Sequence, residues 1–107
     1  MATLEAPADV IRQTERAWQR TVEEAARWLG YRTFHVEFSF GSVRGFPDLI
    51  IMGKGRVVFA ELKSERGKTT ADQDEWLTFL DAEGLESHLW RPSNWDDVIK
   101  VLSEEAG

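Results

Sequence analysis

Asp48, Glu61 and Lys63 are the three side chains whose types and spacing can do chemistry together: Pro47-Asp48 is followed, after twelve intervening residues, by Glu61-Leu62-Lys63. In an extended chain alternate residues share a face, so Val57, Phe59, Glu61 and Lys63 emerge on one side while Val58, Ala60 and Leu62 turn to the other. Pairing Met52 with Val57 across a tight turn sets Asp48 opposite Glu61, and a register one residue away still leaves them neighbours. Two carboxylates about 5 Å apart repel each other unless one is protonated or a cation lies between them. Magnesium is the natural cation, because it prefers hard oxygen ligands, takes one or two carboxylates, and keeps other positions for water and substrate phosphate. Such an ion lowers the pKa of a bound water and stabilises charge on a scissile phosphate, while a nearby lysine orients the water or neutralises developing charge. The competing reading is a cross-strand ion pair of Lys63 with Glu61 or Asp48 on a solvent-facing sheet.

The elements that must position this trio are legible around it. Asp48 to Met52 reads as a short buried strand, Gly53-Lys54-Gly55 as a turn, and Arg56 to Lys63 as its hairpin partner. Upstream, Thr33 to Phe38 alternates, with Phe34, Val36 and Phe38 on one face and Thr33, His35 and Glu37 on the other. Gly41, Ser42, Gly45 and Pro47 mark the connecting loop. A first helix runs from a cap at Thr14, or an earlier one at Asp9, to Leu29, with Gly30 past its end. Trp18, Val22, Ala26 and Leu29 form its buried stripe, and Arg16, Arg20, Glu24 and Arg27 its solvent side. Glu15 sits at the centre of that apolar stripe, with Gln19 one turn on and Glu23 at the margin. An acid in that place needs a cation or a hydrogen-bond partner.

Thr70-Ala-Asp-Gln73 is a capping-box pattern opening a helix to about Glu83, stopped by Gly84. Its inward stripe is Trp76, Leu77 and Leu80, and Gln73 is in phase with them. Leu85 to Trp90 makes a last strand ended by Arg91-Pro92. Ser93 can cap a final helix in which Trp95, Val98, Ile99 and Leu102 recur at helical spacing. The expected fold is α/β in the order α-β-β-β-α-β-α, a mixed central sheet flanked by helices.

At 107 residues, 42% of them apolar, the chain suits one domain over 1–107, with 1–13 as an extension or helix start and 103–107 as a frayed tail. No run approaches the roughly 18 consecutive apolar residues of a membrane span. The first thirteen residues lack a basic leader and an apolar core, and there is no Cys, so a cytoplasmic location is expected. The net charge of −6 argues against a phosphate-rich partner. Its distribution qualifies that objection: Arg44, Lys54, Arg56, Lys63, Arg66 and Lys68 face only Asp48, Glu61 and Glu65, a local +3 that leaves −9 for the remainder.

The trio resembles the PD-(D/E)xK nuclease superfamily, and GFPDLIIMGKGRVVFAELKSERGKTTADQDEWLTFL is similar to the small stand-alone VRR-NUC proteins of phages and bacteria. The resemblance runs from Glu15 through WRPSNWDDVIKVL and rests on G-F-P-D, E-L-K and the T-x-x-Q-x-x-W of Thr70, Gln73 and Trp76. It implies a restriction-endonuclease-like core and a Mg²⁺-dependent endonuclease, Mn²⁺ substituting, acting on DNA of duplex or branched structure as a homodimer. It makes Asp48 and Glu61 metal ligands, Lys63 the catalytic lysine and Gln73 a supporting polar residue. It also suggests a helix-one glutamate as a further ligand, Glu15 on helical phase, with Glu23 as runner-up. Arg44, Arg66 and Lys68 flank the site as phosphate contacts, or are solvated loop charges; Arg91 holds phosphate or caps the last strand. His35, His88 and the five Trp read as structural. The competing class of function is a non-catalytic nucleic-acid-binding or assembly module that keeps the fold.

Overall fold

The computed structural model describes residues 4–37 and 44–104, with the elements α1 (Glu15–Trp28), β1 (Arg32–His35), β2 (Leu49–Gly53), β3 (Arg56–Leu62), α2 (Ala71–Ala82), β4 (Glu86–Trp90) and α3 (Trp95–Ser103). Short 3₁₀ turns at Val10–Arg12 and Pro92–Asn94 precede α1 and α3. The α/β expectation therefore holds: a four-stranded mixed sheet in the order β1-β2-β3-β4 carries three helices, with β3 and β4 parallel and the other neighbours antiparallel. None of the described helices is long and apolar enough to cross a membrane.

Turn chemistry sets the register that matters. Lys54 and Gly55 both take positive φ, 53° and 74°, as the tight hairpin turn between twisted strands requires. Met52 consequently pairs with Val57 and Leu49 with Ala60, so continuing the ladder by one pair aligns Asp48 with Glu61. Lys54 Nζ also lies 4.9 Å from the Tyr31 ring centroid, a cation–π contact at the hairpin end.

One face of the sheet carries the core. Leu49, Ile51, Val58, Ala60, Leu62 and Trp90 pack with Trp18, Val22, Ala25 and Ala26 of α1 and Trp95, Val98 and Leu102 of α3. The helical stripes explain this, since Glu15 to Trp28 and Trp95 to Ser103 each place their apolar residues on one side. Thr14 caps α1 by accepting the Ala17 N–H at 3.1 Å. The other face is covered near β3 by Phe46, whose ring meets Phe59 at 5.9 Å and Trp76 of α2 at 5.0 Å, edge to face. Beyond that cover Phe34, Met52 and Val57 remain exposed.

Three expectations change. The first strand ends at His35, although the Val36 N–H still donates to the Asp48 carbonyl at 2.8 Å. Phe38 lies outside the described residues, as do Gly41 and Ser42 of the loop and the last three residues of the tail. Ser93 does not cap α3: Pro92 starts a 3₁₀ turn that absorbs it, Asn94 takes the cap position, and the Ser93 N–H donates to Glu65 at 2.9 Å. Trp28, unlike the other tryptophans, is 65% exposed.

Candidate active site

The sequence trio meets at the end of the sheet where β3 and β4 finish and β2 begins. Asp48 occupies the bend before β2, and its Oδ2 accepts the Leu62 N–H at 3.1 Å. With its carbonyl also held by Val36, Asp48 is tied to both neighbouring strands. Glu61 follows one pair beyond the last β2–β3 ladder pair, on the face opposite Leu62. It is only 1% exposed, and among the described residues no nitrogen or hydroxyl donor reaches either of its carboxyl oxygens. Burial first, then the neighbouring Asp48 carboxylate, push the Glu61 carboxyl up to about 9, against the opposing pull of Lys63. A buried acid that no donor reaches is costly to ionise, and here its polar neighbour is a second acid, Asp48.

Lys63 leaves the end of β3 with its backbone N–H on the Trp90 carbonyl, at 3.2 Å. Its Nζ lies 3.5 Å from Glu15 Oε1, and the lysine side chain is 12% exposed. Glu15, in phase with the α1 stripe, is half-exposed at the start of the helix and has Lys63 as its cationic partner. Among the described residues no three Asp, Glu or His side chains stand close enough to hold one ion between them. Glu15, Asp48 and Glu61 do not form a ready-made cage, and the geometry pairs Glu15 with Lys63.

The segment after Lys63 is latched from β4. Arg91 Nη1 donates to the carbonyl oxygens of Ser64, at 2.8 Å, of Glu65 and of Gly67, and the Ser93 hydroxyl and N–H hold the Glu65 carboxyl below its ordinary range. Arg91 is therefore committed to the backbone that follows the E-L-K, a function sequence reading does not assign because donor and acceptors lie 24 to 27 positions apart. Gln73 is committed too: its Oε1 accepts the Thr70 N–H at 2.8 Å while Thr70 Oγ1 accepts the Gln73 N–H, the reciprocal capping box. Among the described residues its recorded partner is Thr70 and none of the trio.

The basic middle of the sequence is not one patch. Arg56 sits at the hairpin end, about 17 Å of strand from Glu61, and is largely buried in structural bonds to Glu86, Tyr31 and the carbonyls of Val101 and Glu104. Glu86 above all holds its guanidinium in the charged form. Arg44 is exposed beside a cavity of about 310 Å³ that it shares with Asp72, Glu75, Trp76 and Phe79, its carbonyl accepting the Trp76 indole N–H at 3.0 Å. Arg66 and Lys68 are exposed on the latched segment.

A second cavity, about 470 Å³, lies between α1 and β1, lined by Glu15, Arg16, Gln19, Arg20, Glu23 and His35. Sequence phase places Arg16 and Arg20 toward solvent, which is correct. What it does not reveal is that β1 faces them across a cleft that begins at Glu15. No protein-family model matches the chain, and no curated protein matches it either.

Proposed function

We propose that this chain is a divalent-metal-dependent nuclease hydrolysing DNA phosphodiester bonds. The observation that carries the proposal is Glu61: a buried carboxyl that no donor group reaches, raised to about 9 by burial and by Asp48, with Lys63 beside it. A cation supplies what these groups lack, so the residues present fit one. Asp48 and Glu61 would hold it, and magnesium suits two hard carboxylates, manganese substituting. When bound, the ion supplies a water made acidic enough to attack at neutral pH and positive charge beside the scissile phosphate.

The chain's own residues do the rest. The Leu62 N–H fixes one Asp48 oxygen. Burial holds Glu61 without conformational freedom. Lys63 brings a positive charge to the same strand end, where it neutralises charge developing on a phosphate oxygen, and Glu15 keeps that ammonium pointed toward α1. The resemblance of G-F-P-D and E-L-K to the PD-(D/E)xK pattern supports the same assignment.

A 107-residue chain has little surface with which to grip a branched duplex, so the proposal extends to a homodimer acting on branched or junction DNA. The exposed Phe34, Met52 and Val57 on one sheet face offer apolar surface for such pairing. The experiment is cleavage of linear and branched DNA with Mg²⁺ or Mn²⁺, alongside EDTA and Glu61→Ala. Metal-dependent cutting that the variant lacks is expected; no cutting, or full activity in the variant, would sink the proposal.

A further inference from the structure

We infer that the cleft between α1 and β1 is a phosphate-binding track that seats one nucleic-acid strand beside the reaction centre, with Arg16 and Arg20 as its cationic contacts. The inference rests on the nuclease reading only for the class of ligand; the cleft itself is read from the structure. Its lining residues alternate along α1 in two rows. Glu15, Gln19 and Glu23 form one row and Arg16 and Arg20 the other, each at a spacing of four, so both rows follow the helix axis.

Glu15 stands at one end, and the same carboxylate pairs with Lys63 at 3.5 Å. The cleft is therefore joined to Lys63 through Glu15. From there Arg16 and Arg20 are separated by about 6 Å along the helix axis, close to the axial rise of two nucleotides of one strand. Among the described residues neither arginine is ion-paired within the chain. Both are exposed and each presents a planar fork of donors matched to phosphate oxygens.

His35 completes the wall from the strand side, with its Nδ1 2.7 Å from Gln19 Nε2. The Glu15 charge is offset by Lys63, whereas Glu23 at the far end repels phosphate and limits the track to the Arg16–Arg20 stretch. No comparable track crosses α2, whose exposed face carries Asp72, Asp74, Glu75 and Asp81 and no basic residue.

The test is binding of a fluorescent DNA duplex, with calcium in place of magnesium, from about 50 to about 200 mM salt. Arg16→Gln/Arg20→Gln is expected to weaken binding about tenfold and to lower the slope of log K against log salt by about 1.8, two phosphate contacts' worth. Arg27→Gln/Lys100→Gln removes two exposed charges outside the cleft and is expected to leave the slope unchanged. Equal slopes in the two double variants, or a parent chain that does not bind the duplex, overturn the track. Metal-dependent cutting with an unaltered slope overturns the track and leaves the nuclease standing. An arginine-dependent slope without cutting in any metal keeps the track and removes the nuclease.

Discussion

Lys63 and Glu15, 48 positions apart in sequence, meet with Nζ 3.5 Å from a carboxylate oxygen, and one carbonyl brings them there. The Trp90 oxygen accepts both the Lys63 N–H and the indole N–H of Trp18, at 3.2 and 2.9 Å. Trp18 lies one turn beyond Glu15, so the bond that anchors α1 to the end of β4 also delivers Glu15 to the lysine.

Glu15→Gln separates positioning from ligation. The pair is half-exposed on the Glu15 side, so stability should change by less than about 1 kcal/mol. If Glu15 orients Lys63, kcat falls about tenfold while the Mg²⁺ concentration for half-maximal activity stays put. A ligand's loss would instead raise that concentration by about 10- to 100-fold. A magnesium titration of cleavage by both proteins decides, and a raised requirement would refute the positioning role.

Glu61 makes the metal-free protein sensitive to alkali. Its carboxyl ionises near the ordinary 4.5 in the unfolded chain and at about 9 in the folded one, so between those values the folded state holds a proton that the unfolded state has released. Stability must then fall as pH rises through that window, the reverse of an ordinary salt-bridged carboxylate. In EDTA the melting temperature is expected to drop between pH 5 and pH 9 by about 5 °C or more. Glu61→Gln should flatten the profile, and Mg²⁺ should stabilise the parent more at pH 8 than at pH 5, because binding displaces the proton. A parent profile as flat as the variant's would show that Glu61 does not hold this proton in the folded state.

The parts of this arrangement legible in sequence are the local ones. Lys54-Gly55 specifies a tight turn and the turn specifies the Met52–Val57 register, so Asp48 and Glu61 follow without long-range information. Thr14 and Thr70 mark their helices because caps are chemistry between residues three apart. Alternation sorts Phe34 and Val57 onto a face, yet periodicity cannot tell which face a helix will cover, and both are exposed. The basic middle misleads for a related reason: the hairpin carries Arg56 to the far end of the sheet, where Glu86 holds it. Gln73, picked out as a polar residue on an apolar stripe, has its amide oxygen in the helix cap.

Gly45 is the point where the loop before Asp48 touches α2. It takes φ +89°, and a Cβ there would lie 2.4 Å from the Asp72 carbonyl carbon and 2.7 Å from the Gln73 nitrogen. Backbone cannot yield as a side-chain tip does, and the capping box fixes this backbone. Gly45→Ala should lose roughly 2 to 4 kcal/mol from strain and overpacking together. Chemical denaturation measures the loss. Gly55→Ala, at φ +74° with no atom within 4 Å, is the matched control for strain alone and should lose less. Equal losses would mean that the Asp72 contact contributes nothing.

Arg91 tests whether the segment after Lys63 must be held for the lysine to work. The guanidinium reaches three carbonyls of one turn, Ser64, Glu65 and Gly67, and the chain supplies no other side-chain donor to them among the described residues. Arg91→Ala removes the charged donor from all three oxygens and leaves Ser64 only the Gly67 N–H at 3.2 Å, a loss of roughly 2 to 4 kcal/mol for hydrogen bonds made by a charged group. Arg91→Lys keeps the charge but presents a compact ammonium in place of the fork, so it should recover only part. A purely structural latch would lower the melting temperature while kcat measured well below it stayed constant. A latch that positions Lys63 lowers kcat in the folded protein, in the order Ala below Lys below Arg, with KM nearly unchanged. Lys63 shares the Trp90 carbonyl and directly precedes Ser64, so displacement of this turn is transmitted to its backbone, and the kcat loss is the expected result.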